Sequence, residues 1–171
     1  MKNEEKIIKN IYAAFVVSLF MTFLPNLPAA VIAFVLFFGV MISAYILRAK
    51  SGEETLMNDH MTFIIRTIWI AGLFGILTMT VALIYLFGNL DLTVFHNCVN
   101  ENGGLTATDM QTLNNIAQLC MDDYILANKG PLLTATVIGG APLIAYMLYR
   151  ISKGILRAAK GHRMGDNKSW F

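Results

Sequence analysis

Apolar positions in this chain come as long unbroken runs, not as stripes or alternations, and short clusters of charge, proline or glycine separate them. An uncharged run of roughly 17 to 25 residues is what a helix needs to cross the hydrocarbon of a bilayer. Four such runs are predicted as spans, at about residues 7–24, 29–47, 61–87 and 131–149. The first is uncharged only from Asn10 onward and reaches spanning length if Lys9 snorkels to the headgroups. Pro25-Asn26-Leu27-Pro28 ends it, because two prolines in four residues remove amide donors and disfavour helix just before them. The second carries Phe34, Phe37 and Phe38 and stops at the charges Arg48, Lys50, Glu53 and Glu54. The third contains Ala71, Gly72 and Gly75, small residues that let helices approach closely in lipid. The fourth opens on Pro131 and holds Pro142, which frees the Ile138 carbonyl and predicts a kink. The expected fold is all-α: a polytopic membrane protein with four transmembrane helices in one domain, residues 1–171.

Between the last two runs, residues 88–130 are more polar. Thr106 followed by Asp109 resembles a capping box, and Leu113, Ile116, Ala117 and Cys120 recur at helical spacing, so a short amphipathic helix is predicted there. Composition agrees with a membrane protein, since 56% of residues are hydrophobic and 14% charged, against about 25% charged in soluble domains. A net charge of +2 is too small to suggest a nucleic-acid partner.

The distribution of charge adds orientation. Lys and Arg fall in the N-terminal segment, in the linker after the second run and in the tail 150–171, where Arg150, Lys153, Arg157, Lys160, Arg163 and Lys168 face one acid, Asp166. The 88–130 loop holds Asp91, Glu101, Asp109, Asp122 and Asp123 against Lys129 alone. By the positive-inside rule both termini are cytoplasmic and the loop is extracytoplasmic, in a bacterial inner membrane. Ile151, Ile155 and Leu156 then place the basic tail along an anionic leaflet. A cleaved leader is the rival reading of the first run; Glu4 and Glu5 spoil the basic start it requires. Cys98 and Cys120 both lie in the outer loop and are expected to form a disulfide.

Candidate chemistry concentrates at the head of the third run, Asp59 to Trp69. Asp59 is expected to cap the helix and His60 to lie at the interface; the sharper alternative is a proton-handling pair. Arg66, about 9 Å further along the helix, either snorkels to the headgroups or lines a pathway and pairs with a carboxylate. His96 and Cys98 with nearby acids match no strong metal pattern, and a disulfide would consume both thiolates. One possible cysteine pair without a Cys-x-x-Cys falls short of a disulfide oxidase. No nucleophile triad, phosphate loop or paired intramembrane carboxylates can be assembled, so neither enzymatic activity nor a metal or cofactor is expected.

Asp59-His60, Phe63, Ile65-Arg66-Thr67 and Trp69, followed by Tyr149-Arg150-Ile151, Lys153-Gly154, Gly161 and Trp170, resemble the two separated motifs of a family of small bacterial inner-membrane proteins. That family is classed as similar to the chloroplast inner-envelope import subunit Tic-twenty. Ile68, where an aromatic is usual, and the long cysteine-bearing loop depart from its pattern. The resemblance implies a helical membrane bundle without known enzymatic activity. The expected function is an accessory or structural subunit of a larger membrane complex, touching lipids and other integral membrane proteins. Asp59, His60, Arg66, Trp69, Arg150, Lys153 and Arg157 are its candidate interface or partner-binding residues. A transporter or channel component using Arg66 and the kinked fourth run is the alternative.

Overall fold

The computed structural model describes residues 2–165; Asp166, Lys168 and Trp170, to which expectations attach above, lie outside them. The described chain is all-α, with α1 at Lys2–Met21, α2 at Leu27–Lys50, α3 at Leu56–Asn89, α4 at Thr93–Glu101, α5 at Met110–Ala127 and α6 at Lys129–Ala159. Three of these, α2, α3 and α6, are long and apolar enough to cross a membrane.

Each of the three is longer than its apolar run because local hydrogen bonds set its ends. Asn26 caps α2, its Oδ1 accepting from the Ala29 amide at 2.8 Å, and Pro28 falls where a missing amide leaves no helical bond unmade. Thr55 caps α3, its Oγ1 accepting from the Asn58 amide at 3.2 Å. Asp59 is therefore not the cap expected of it; it sits inside the first turn, where a carboxylate favours the positive end of the helix. At the other end of the chain, α6 passes through Pro142 and continues to Ala159, so the first ten residues assigned to a tail are helical.

A Schellman motif closes α6. The His162 amide donates to the Arg157 carbonyl at 3.0 Å and the Gly161 amide to the Ala158 carbonyl at 3.2 Å. That pattern needs a left-handed residue between them, and Gly161 supplies φ +65.

By its contacts the chain divides into two compact units, Met1–Phe74 with Leu143–Phe171, and Gly75–Pro142. In the first, α1 presents Ile8, Tyr12, Phe15 and Ser18 as one buried face at helical spacing. Val40 and Ala44 of α2, Met61 and Ile64 of α3, and Ile151 and Ala158 of α6 complete that core. The apolar part of α1 ends in turns after Met21, with Thr22, Phe23 and Leu24 each donating to the carbonyl three residues back.

In the second unit, Gly139 of α6 brings its backbone against Met79 and Ala82 of α3. The segment between α3 and α6 forms two helices, α4 and α5, where the sequence pattern predicted one. Asp109, not Thr106, caps α5, accepting from the Thr112 amide at 2.7 Å. That bond holds the Asp109 carboxyl below its ordinary range. A depressed folded-state value means the cap's contribution is present above the usual carboxylate range and is lost only as pH falls through the lowered value. Asn128, buried at the α5–α6 junction, takes the Asp91 amide on Oδ1 at 2.7 Å and gives Nδ2 to the Asp91 carbonyl at 2.9 Å.

Cys98 of α4 and Cys120 of α5 stand at disulfide distance, with Cα atoms 5.8 Å apart and a sequence separation of 22. Closing a loop of that size stabilises by about 3 kcal/mol in the chain-entropy model. Alkylation of the unfolded, unreduced protein is expected to add no label by mass spectrometry, and alkylation after reduction to add two. Two labels without reductant would contradict the bridge.

Candidate functional site

The side chains of Tyr12 from α1, Asp59 and His60 from α3 and Arg163 from the segment after α6 converge where the head of α3 meets the end of α6, all within the first unit. His60 is the centre. It is 0% exposed, and its Nε2 lies 3.1 Å from the His162 carbonyl. A carbonyl only accepts, so Nε2 carries a proton. In the neutral ring Nδ1 is then an acceptor, and the Tyr12 hydroxyl of α1 is 3.2 Å away to donate to it. The same tyrosine ring meets the imidazole edge-on, centroids 5.8 Å apart. His60 was expected at an interface; it is instead a buried cross-link joining α1, α3 and the segment after α6.

Asp59 makes the parallel connection. Arg163 Nε donates to its Oδ2 at 2.6 Å, with the arginine side chain 50% and the aspartate 9% exposed. That hydrogen bond holds the Arg163 guanidinium above its ordinary range, so its charge is constant over the accessible pH range. Arg157 Nη1 in turn donates to the Arg163 carbonyl at 2.8 Å. These bonds are possible only because the Schellman turn directs residues 162–164 back over α3, where Met164 is buried. Asp59→Asn is expected to lower thermal stability by less than about 1 kcal/mol, because Arg163 is half in solvent. The same loss should shrink at high salt; an equal loss at all ionic strengths would show that something other than the ion pair had been removed.

The closeness of α1 to α6 depends on a glycine. A Cβ built on Gly154 would lie 2.5 Å from the Tyr12 hydroxyl and 2.6 Å from two of its ring carbons. Tyr12 is itself in the core. Neither residue carries a charge, and the hydrophobic pattern did not single out Tyr12, although its spacing from Ile8 and Phe15 marks the buried face of α1.

Deeper along the same helices lies Arg150, assigned from the sequence to a leaflet-bound tail. That assignment is overturned, for Arg150 is 0% exposed and the bulkiest side chain so enclosed. Its Nε donates to Thr67 Oγ1 at 3.1 Å, and Thr67 passes its own proton to the Phe63 carbonyl at 2.7 Å. The guanidinium carbon stands 3.8 Å from the centroid of the Phe63 ring, a cation–π contact. The helix runs on nine residues beyond Arg150, which is why the side chain lies within the bundle and not at its edge. Arg66 is half-buried, and its Nε is enclosed without a hydrogen-bond partner among the described residues.

The remaining expected residues are dispersed. Lys153 is half-buried with Nζ 3.5 Å from the Tyr149 hydroxyl. Trp69 is 60% exposed and donates its indole N–H to the Tyr45 hydroxyl of α2 at 2.7 Å. Among the described residues no group of three or more His, Cys, Asp or Glu side chains is placed to hold a metal. What the geometry accomplishes at the head of α3 is fastening: Asp59 and His60 are satisfied by Tyr12 of α1 and by residues 162 and 163 after α6. No protein-family model, curated protein or solved structure matches this chain.

Proposed function

We propose that this is a four-span protein of a bacterial inner membrane that acts as a non-enzymatic accessory or structural subunit of a larger membrane complex. In this reading α1 and its following turn supply the first crossing, both termini are cytoplasmic, and the disulfide-bearing α4–α5 hairpin is extracytoplasmic. The charge distribution supports the orientation: Arg48, Lys50, Arg157, Lys160 and Arg163 lie at or just beyond the ends of α2 and α6, while the 88–130 segment holds Asp91, Glu101, Asp109, Asp122 and Asp123 against Lys129 alone. The family resemblance carried by Asp59 to Trp69 and Tyr149 to Gly154 supports the same class.

One observation carries the subunit reading. Only 17%, 22% and 17% of the apolar windows of α2, α3 and α6 are buried within the chain, so most of their apolar surface is left for lipid or for the helices of other proteins. The polar residues, by contrast, are engaged with each other at the head of α3. Such helices offer broad apolar lateral faces.

The test is purification from the native membrane in a mild detergent. Recovery with other integral membrane proteins at fixed stoichiometry is expected, and recovery solely as a lone monomer would refute the subunit role. The enclosed Arg66 and Arg150 favour one competing reading, a transporter or channel component, since intramembrane charges mark ion and substrate pathways. Flux into proteoliposomes that is abolished by Arg66→Ala would establish that reading in place of the first.

A further inference from the structure

One face of α3 carries Phe63, Arg66, Thr67, Ile70 and Phe74 at helical spacing, and the facing strip of α6 carries Tyr146, Arg150 and Lys153. Two contacts pin this seam. Arg150 Nε bonds Thr67 at one level, and the Tyr146 and Phe74 rings stack with centroids 5.9 Å apart at the next. Ile70 and Tyr146 belong to one buried cluster between them. Arg66 is thereby held beside Tyr146 and Arg150, near enough for its charge to act on both.

Two donors on this seam are left unsatisfied among the described residues. Arg66 Nε and the Tyr146 hydroxyl are both enclosed and without a hydrogen-bond partner among the described residues; Tyr146 is 8% exposed. Among the described residues no carboxylate forms an ion pair with Arg66. A buried guanidinium nitrogen and a buried hydroxyl left unbonded each carry a desolvation penalty. An anion with several acceptor oxygens answers both at once, and the planar fork of arginine suits phosphate oxygens in particular.

We infer that Arg66, Tyr146 and Arg150, with Lys153 one turn away on α6, form an anion site at the α3–α6 seam that takes a phosphate group. Arg66 and Tyr146 supply the unsatisfied donors, and Arg150, fixed by Thr67 and Phe63, supplies a positioned charge. The phosphate comes either from an anionic phospholipid headgroup or from a soluble phosphate. This site is independent of whether the protein serves as an accessory subunit.

The experiment is thermal unfolding of the full-length protein in a neutral detergent, followed by circular dichroism. One series adds phosphatidylglycerol or phosphatidylcholine, and a second adds sodium phosphate or sodium chloride at equal ionic strength. Phosphatidylglycerol or phosphate is expected to raise the midpoint on the order of 5 °C at saturating ligand. Arg66→Gln should remove most of that shift, and Lys160→Gln, an exposed charge on the same side, should leave it intact. Tyr146→Phe keeps the ring stack, deletes only the hydroxyl and should reduce the shift, so it decides the matter if Arg66→Gln does not fold. A shift with phosphatidylglycerol alone assigns the lipid headgroup; a shift with inorganic phosphate as well assigns free phosphate. Equal shifts with phosphatidylcholine, no shift with either phosphate source, or a full shift in both Arg66→Gln and Tyr146→Phe would overturn the site.

Discussion

Gly154→Ala is expected to destabilise the first unit by about 1 to 3 kcal/mol, the usual cost of forcing extra volume into a packed interior. The added methyl would lie 2.5 to 2.6 Å from three atoms of the Tyr12 side chain. Those atoms belong to a ring and its hydroxyl, which cannot bend aside as the tip of a flexible chain would. The ring is also fixed on its other side by the buried His60. Relief must therefore come from moving α1 away from α6, which loosens the packing of Ile8 and Phe15 as well. Denaturation of the detergent-solubilised protein measures the loss. The companion double variant Tyr12→Ala with Gly154→Ala should be no less stable than Tyr12→Ala alone, because the obstructing ring is gone. If Gly154→Ala matches the parent protein, the close approach of α1 to α6 is wrong.

The second large effect is expected at His60. His60→Leu keeps an apolar side chain in the core but removes both hydrogen bonds, to Tyr12 and to the His162 carbonyl. The Tyr12 hydroxyl is then left buried without its partner, and an orphaned polar group of this kind costs about 1 to 3 kcal/mol. The His162 carbonyl lies near the surface and recovers a bond to water, so it adds less. The total is expected near 2 to 4 kcal/mol. Pairing the substitution with Tyr12→Phe separates the two parts: the double variant should regain much of the loss. Limited proteolysis supplies a local readout, since cleavage after Arg163 should accelerate in His60→Leu and stay slow in the parent. Unchanged cleavage together with unchanged stability would show that His60 does not hold this segment down.

The hydropathy pattern located α2, α3 and α6 because lipid imposes a simple rule on such helices, and their apolar runs are long and uncharged. It missed their ends for a physical reason. Thr55 and the Gly161 turn set the boundaries of α3 and α6 through single hydrogen bonds and one left-handed residue, and these are invisible to an average over many residues. Arg150 was misplaced for a related reason: the first base after an apolar run looks like the membrane edge, yet Ile151, Ile155 and Leu156 extend the helix past it.

Asp59 and His60 stand out in the sequence as polar residues at the head of an apolar run, but their partners were not legible. Tyr12 lies 48 residues before His60 and His162 lies 102 after it, and nothing in local spacing connects positions that far apart. Gly154 appeared in the sequence only as part of a motif; its physical meaning, room for a tyrosine ring, requires the two helices to be seen together. The α4 helix escaped notice because its nine residues are too short for a periodic signal to stand out.

The sequence separation of 102 from His60 to His162 also bears on how the protein is made. A ribosome adding about 5 to 20 residues per second delivers the second partner roughly 5 to 20 s after the first. Throughout that interval His60 lacks the His162 carbonyl and Asp59 lacks Arg163, while Tyr12 has already been made. The head of α3 is therefore completed only once the segment after α6 has been made, so its polar groups are the last in the first unit to find their partners.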